Sequence, residues 1–393
     1  MSEWKECKLG EIANITPGFA FKSKDFGQIG ELVIKIKDIL PPYIDLQKAE
    51  YVDLTSYDKN KLAKFLIHKN DYVVAMTGAT IGKVGKMKED KVAYLNQRVA
   101  KISAKEGICD GFIYYSICSD DFQLFIQNNI DSNSAQENIS ANSIGRFPIL
   151  LPPLDEQKQI ASILSSLDDK IDLLNRENAT LEAMAETLFR QWFIEETKED
   201  WEEGKLGDIL SVKGGTTPST KESRYWDGDI AWTSPRDVTT LNGIYLFKTE
   251  KKITEAGLKQ ISSGLLPKGT LLMSSRAPVG VLAFAEIPLA INQGYIAILD
   301  DKGYAKEFIY LWLKANMDLV HSYSNGSTFM EISKSAFKSL DITIPSQKEV
   351  SDFVAMIKPY FDKIKLNEEQ IRLIAKQRDI LLPKLMSNEI NIT

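Results

Sequence analysis

Cysteine and histidine are scarce in this 393-residue chain, with three of one and two of the other. Cys7, Cys109 and Cys118 make no even set and no C-x-x-C pair, which excludes a disulfide framework and suits a reducing cytoplasm. With only His68 and His321 besides, no zinc-site spacing exists, and neither a metal nor a cofactor is expected. No apolar run approaches the ~18 residues of a membrane span. The start, Met1-Ser2-Glu3-Trp4-Lys5, lacks the basic and apolar blocks of a signal peptide. What remains is ordinary for a globular protein, 44% hydrophobic and 26% charged, at a length that suggests two or three domains.

The net charge of −6 argues against a nucleic-acid binder until it is divided along the chain. Residues 1–150 carry 19 basic and 19 acidic side chains, whereas residues 151–200 carry 5 and 12. The acidity is therefore local. Lys59 to Lys105 holds eleven basic residues against Asp71, Glu89 and Asp90. Such an excess could neutralise phosphates, or it could be a solvated lysine-rich surface.

The chain repeats itself after about 195 residues. Trp4-x-x-x-Lys8-Leu9-Gly10 returns as Trp201-x-x-x-Lys205-Leu206-Gly207, and Lys37-Asp38 as Arg236-Asp237. Val74 to Gly82 parallels Leu272 to Gly280; Asn96-Gln97 parallels Asn292-Gln293; Ile139-Ser140 parallels Ile332-Ser333. Short apolar runs such as Leu32-Val33-Ile34 and Tyr72-Val73-Val74-Ala75 predict buried strands, and 110–129 and 305–320 predict helices. The reading is a mixed α/β (α+β) chain of four parts. Two similar α/β domains, 1–150 and 201–345, are each followed by a long helix, 151–200 and 346–393.

Both helical stretches are heptad-patterned, the first after Asp155 as a plausible N-cap. Leu164, Leu167, Ile171, Leu174, Asn178, Leu181 and Leu188 mark one seam; Ile357, Ile364, Asn367, Ile371, Ile374 and Leu381 mark the other. In an antiparallel pair, facing residues have numbers with a constant sum, and 545 fits throughout: Leu164 meets Leu381, Ile171 meets Ile374, and Asn178 meets Asn367. A buried Asn pair costs stability and penalises slipped registers. Leu167 opposite Arg378 fits poorly, and Pro359 should kink the second helix. Roughly 35–40 helical residues give a coiled-coil spacer on the order of 55 Å long. Two similar domains at its ends, related by pseudo-twofold symmetry, would read two separated half-sites on duplex DNA.

Both repeats resemble the specificity subunits of type I restriction–modification systems. The resemblance is carried by Arg224-Tyr225-Trp226-Asp227-Gly228-Asp229-Ile230-Ala231-Trp232 with Thr233 to Val238, and by Leu151-Pro152-Pro153-Leu154-Asp155-Glu156-Gln157-Lys158-Gln159-Ile160. The helix ends Leu188 to Phe193 and Leu381 to Ser387 add to it. It implies two target-recognition domains for a split, asymmetric DNA target. It also implies docking of two methyltransferase subunits and of restriction subunits that translocate and cleave. Two departures stand out: Ile34-Lys35-Ile36 where the family often has an aromatic, and a first helix ending in Glu195-Glu196.

The chain carries no evident catalytic site. Leu40-Pro41-Pro42-Tyr43 has leucine where amino-methyltransferases need a hydrogen-bond acceptor, and reads as a proline turn. Gly78 to Val84 is one residue short of a P-loop and lacks its metal-binding hydroxyl. That segment is instead a candidate DNA contact through Thr77, Thr80 and Lys83, or simply a hairpin turn; its counterpart offers Ser275 and Arg276. Lys37 and Arg236 either contact DNA or pair with carboxylates. Ser134 and Gln136, like Ser327 and Thr328, lie in polar loops that contact phosphate or cap a helix. Lys86 from the basic run and Ser234 beside Arg236 complete the set. Gln97 and Gln293 read as structural, Trp226 and Trp232 as core. The acidic face of the first helix (Asp168, Asp169, Asp172, Glu177, Glu182, Glu186) reads as solvated, with docking of a methyltransferase subunit as the alternative. Two rivals stand beside a non-catalytic recognition subunit: an autonomous DNA methyltransferase or nuclease, and a scaffold that binds no DNA.

Overall fold

A computed structural model describes residues 4–130, 137–276, 278–300, 302–326 and 330–390. The chain divides into two compact units, Met1–Ile171 with Leu373–Thr393, and Asp172–Arg372.

In the first unit a six-stranded sheet runs in the order Ala13–Pro17, Val99–Ala104, Tyr72–Ala75, Val84–Lys86, Tyr43–Ile44, Ile39–Leu40. Its central strand Tyr72–Ala75 is apolar throughout because both faces are covered. Tyr72 and Val74 pack with helices Asp110–Ile117 and Asp120–Asn128, while Val73 and Ala75 pack towards a second sheet. That five-stranded sheet has the order Phe26–Gly27, Glu50–Val52, Glu31–Ile34, Ala93–Leu95, Leu66–Ile67. Pro41-Pro42, joined by a cis peptide, turn the short hairpin between Ile39–Leu40 and Tyr43–Ile44.

The second unit repeats this plan. Its main sheet runs Ser211–Lys213, Tyr295–Leu299, Leu271–Ser275, Val279–Ala285, Tyr245–Leu246, and its smaller sheet Lys251–Ile253, Trp226–Thr233, Leu289–Ile291. The parallel pairings recur at equivalent places. Val84–Lys86 beside Tyr43–Ile44 matches Val279–Ala285 beside Tyr245–Leu246, and Glu31–Ile34 beside Ala93–Leu95 matches Trp226–Thr233 beside Leu289–Ile291. Leu271 and Met273 face one core and Leu272 the other. Trp232 is buried, whereas Trp226 is half-buried and meets it edge-on at 5.1 Å.

The opening motif of each repeat closes its unit. Lys5–Lys8 pairs with Pro148–Leu151, and Glu202–Lys205 with Asp341–Ile344. Trp4 Nε1 donates to Glu156 Oε2 and Trp201 Nε1 to Glu349 Oε2, both at 2.9 Å. Glu156 and Glu349 stand in the first turns of the two long helices, Leu154–Arg190 and Gln347–Met386. Asp155, expected as an N-cap, lies inside that first turn, where a carboxylate still complements the helix dipole. The second helix is continuous through Pro359.

Within each unit the two long helices run antiparallel. In the first, Ile160 and Leu164 are buried with Leu385, and Leu381 packs against that cluster. Arg378, expected opposite Leu167, donates to Asp168 at 2.8 Å, so its charge is paired at the seam. In the second unit Ile357 and Ile364 are buried among residues that include half-buried Leu181 and Leu188. Leu174 is also buried, whereas Leu167, Ile171, Ile371 and Ile374 are half-buried. Asn367, fully buried, donates through Nδ2 to Asn178 Oδ1 at 2.8 Å and to Glu177 Oε2 at 2.9 Å.

The acidic face is not a solvated one. Asp168 also accepts from Tyr115 Oη, Glu182 engages Tyr310 and Lys314, Glu186 pairs with Lys314, and Glu177 sits at the Asn layer. Asp168, Glu182 and Glu186 turn towards the domain of their own unit, Glu177 towards Asn367 and Lys363 of the second long helix, and Asp169 is exposed.

Candidate nucleic-acid interface

In each unit four chain segments are stitched together at one edge by main-chain hydrogen bonds. In the first unit Asn96 N donates to Ile34 O (3.0 Å), Met76 N to Arg98 O (2.9 Å) and Ile139 N to Met76 O (3.0 Å). In the second, Asn292 N donates to Thr233 O (3.0 Å), Ser275 N to Gly294 O (2.8 Å) and Ile332 N to Ser275 O (3.0 Å). The bridges Thr77–Asn138 and Arg276–Glu331 complete the correspondence. The bonds put Thr77 and Arg276 at the stitched edges themselves, with Lys37 just after Ile34 and Ser234 and Arg236 just after Thr233. Thr80 and Lys83 follow Thr77 in the hairpin turn, and Lys83 lies beside Pro41, Pro42 and Tyr114.

A glycine makes each edge possible. A Cβ on Gly18 would lie 2.3 Å from Asn96 O, and one on Gly215 would lie 1.8 Å from Ile291 O. Only a bare backbone passes there. These two glycines carry no repeat signal in the sequence, because their flanks, Pro17-Gly18-Phe19 and Gly214-Gly215-Thr216, share nothing else.

The candidate side chains fare differently. Lys37 is exposed and pairs with Glu50 at 2.6 Å, sharing it with Lys35. The hydrogen bonds from Lys35 and Lys37 hold the Glu50 carboxyl below its ordinary value, and Glu50 in turn raises Lys37. Arg236 is exposed and lies 3.7 Å from Glu250. Carboxylate pairing, one of the two readings left open, is thus present for both. Neighbouring Asp38 is buried; desolvation raises its pKa, and only Oδ2 accepts a main-chain bond, from Lys35 N at 2.8 Å.

Thr77 is 9% exposed and Ser275 3% exposed, so neither hydroxyl is presented at the surface. Thr77 Oγ1 and Thr80 Oγ1 have no hydrogen-bond partner among the described residues. Ser234 is occupied as the N-cap of Pro235–Thr239, its amide donating to Asp237 Oδ2 at 2.9 Å. Lys83 is exposed at the tip of the hairpin formed by Tyr72–Ala75 and Val84–Lys86. Lys86 stands at the other end of that hairpin, its ammonium 5.5 Å from the Tyr114 ring centre, and does not join the edge. Gln293 accepts from Thr217 Oγ1 at 2.6 Å, a structural role, whereas Gln97 is exposed. Ser134, Gln136, Ser327 and Thr328 lie outside the described residues. Among the described residues, no helix is long and apolar enough to cross a membrane, and no group of three His, Cys, Asp or Glu could hold a metal.

Comparison with known proteins agrees with this architecture. The profile of the family described as type I restriction modification DNA specificity domain matches residues 1–183 and again 198–376. The MjaIX type I restriction enzyme specificity subunit of Methanocaldococcus jannaschii is 38% identical over 198 residues, which take in 50% of this chain and 44% of that relative. The HindI type I restriction enzyme specificity subunit of Haemophilus influenzae is 22% identical over 471 residues, spanning 99% of this chain and all of that one. In fold, the chain is similar to the crystal structure of a type I restriction–modification S subunit from M. genitalium. The TM-score is 0.58 at 16% identity, covering 100% of this chain and 97% of the other.

Proposed function

The chain belongs to the type I restriction modification DNA specificity family, and from that membership we propose that its two stitched edges read the two unlike halves of one split duplex target. It is a recognition subunit rather than an enzyme. One observation carries the reading. The same three main-chain hydrogen bonds build the same edge twice, yet the side chains mounted on it differ, threonine and lysine in one unit, arginine in the other. A shared scaffold with different readers suits a bipartite, asymmetric site.

Exposed Lys37, Lys83 and Arg236 contact phosphates, exchanging Glu50 or Glu250 for the DNA backbone in the first and last cases. The Thr80 hydroxyl, expected as a contact, is buried like that of Thr77 and is not offered to DNA. The subunit works in a reducing cytoplasm, consistent with three free cysteines, and docks two methyltransferase subunits and the restriction subunits that act on the recognised DNA. Binding of the methyltransferase-loaded complex to specific and random duplexes, titrated against salt, tests this. A preferred sequence and a steep salt slope are expected. Equal affinity for all duplexes with a flat slope refutes the recognition role and leaves a scaffold.

A further inference from the structure

We infer that Arg276 is the specificity-determining side chain of the second unit and selects a guanine in its half-site. The inference rests on the two-edge reading above and goes beyond it by assigning a base. Arg276 follows the strand Leu271–Ser275, where that strand opens into its hairpin with Val279–Ala285. Its main chain is held by the bridge to Glu331, and the preceding residue donates to Gly294 O and accepts from Ile332 N. The far side of the hairpin is equally constrained. Gly280 has φ +95, and a Cβ there would lie 2.4 Å from Met317 Sδ. The guanidinium is therefore carried on a fixed base, and placing it on a ligand orders little besides its own rotamers.

Three further observations single it out. The equivalent residue of the first unit, at the same bridge, is Thr77, so the two edges differ in chemistry at the position their scaffolds share most closely. Arg236, the other candidate cation of this edge, is within ion-pair distance of Glu250, as Lys37 of the first unit is of Glu50. Arg276 is half-buried and has no hydrogen bond or ion pair among the described residues. A planar fork of donors, fixed at its root and without a carboxylate, matches the O6 and N7 acceptors of guanine in the major groove. A lysine there would be a point charge without that geometry.

The test is genome-wide methylation mapping in a host carrying the complete system, with wild type, Arg276→Ala and Arg276→Lys, and thermal melting to establish that each variant folds. Expected is a wild-type motif with a guanine in one half that becomes degenerate at that single position in both variants, the other half and the spacing unchanged. Where a variant methylates too little to map, binding of the loaded complex to duplexes altered one base pair at a time reads the same quantity. Discrimination at one pair should fall roughly ten- to hundredfold. If Arg276→Ala weakens all sequences equally and Arg276→Lys restores binding, the contact is to phosphate and the assignment is wrong. An intact motif in both variants overturns the assignment alone; a wild-type complex with no defined motif overturns the two-edge reading together with it.

Discussion

Glu368 ties the second long helix to the sheet of its unit, and its titration should be visible in stability. The side chain is 5% exposed, and its two oxygens accept from Ile244 N at 2.8 Å and Tyr245 N at 3.1 Å. Gly243 precedes them at φ +144, where a Cβ would lie 2.5 Å from the carboxyl carbon. Burial pushes the pKa from 4.5 up to about 7; Glu182 and Glu286 add to the rise, and the two amide donors oppose it. An acid with a raised pKa binds its proton more tightly folded than unfolded. Its contribution to stability is therefore complete below pH 4.5 and is lost as pH rises through about 7. At about 1.4 kcal/mol per pH unit the loss is on the order of 3 kcal/mol.

Glu368→Gln isolates this contribution, because glutamine keeps the shape and does not ionise. Its amide presents a donor to one of the two N–H groups, so at low pH the variant should be less stable by about 1 kcal/mol. The difference between wild type and variant should then move by about 3 kcal/mol in the variant's favour between pH 4.5 and about 7. Urea denaturation of both chains across that window measures it. A difference that stays flat with pH would mean that the carboxyl is not held protonated, and the argument from burial would fail.

Cysteines at 178 and 367 should form a disulfide under mild oxidation, since the two Asn side chains already touch at 2.8 Å; failure to cross-link would show another register. Replacing both with leucine should raise the unfolding free energy by about 1–3 kcal/mol, seen as a higher urea midpoint, because buried Asn367 Oδ1 has no partner among the described residues. Gly18→Ala and Gly215→Ala should each destabilise by roughly 1–3 kcal/mol or more through overpacking against Asn96 O and Ile291 O. Gly107→Ala, whose Cβ meets nothing within 4 Å although φ is +82, should cost less, and thermal melting ranks the three.

Part of the structure could be read along the chain. Heptad spacing is a one-dimensional record of a helix–helix seam, which is why Leu164, Leu174, Ile357, Ile364 and Asn367 could be named as seam positions and why all five are buried. The strand Tyr72–Ala75 announced its double burial by an unbroken apolar run. The edge side chains were less legible. Thr77 and Ser275 look like surface polar residues, but each continues a central strand into the core, and burial follows from the strand's position rather than from the residue's polarity. The acidic face misled for a related reason. Charge and period predict which residues share a helix face, but Tyr310, Lys314 and Tyr115, which claim Glu182 and Asp168, come from segments far away in the chain.

Sequence alone determined the duplication, the two long helices and their antiparallel seam, because repetition and heptad periodicity are properties of residue order. Tertiary structure alone decided which polar groups reach the surface and which carboxylates are neutralised. It also decided that Gly18 and Gly215 must lack a side chain. Those outcomes depend on what a fold brings within a few ångströms from the other end of a unit, and no local pattern carries that distance.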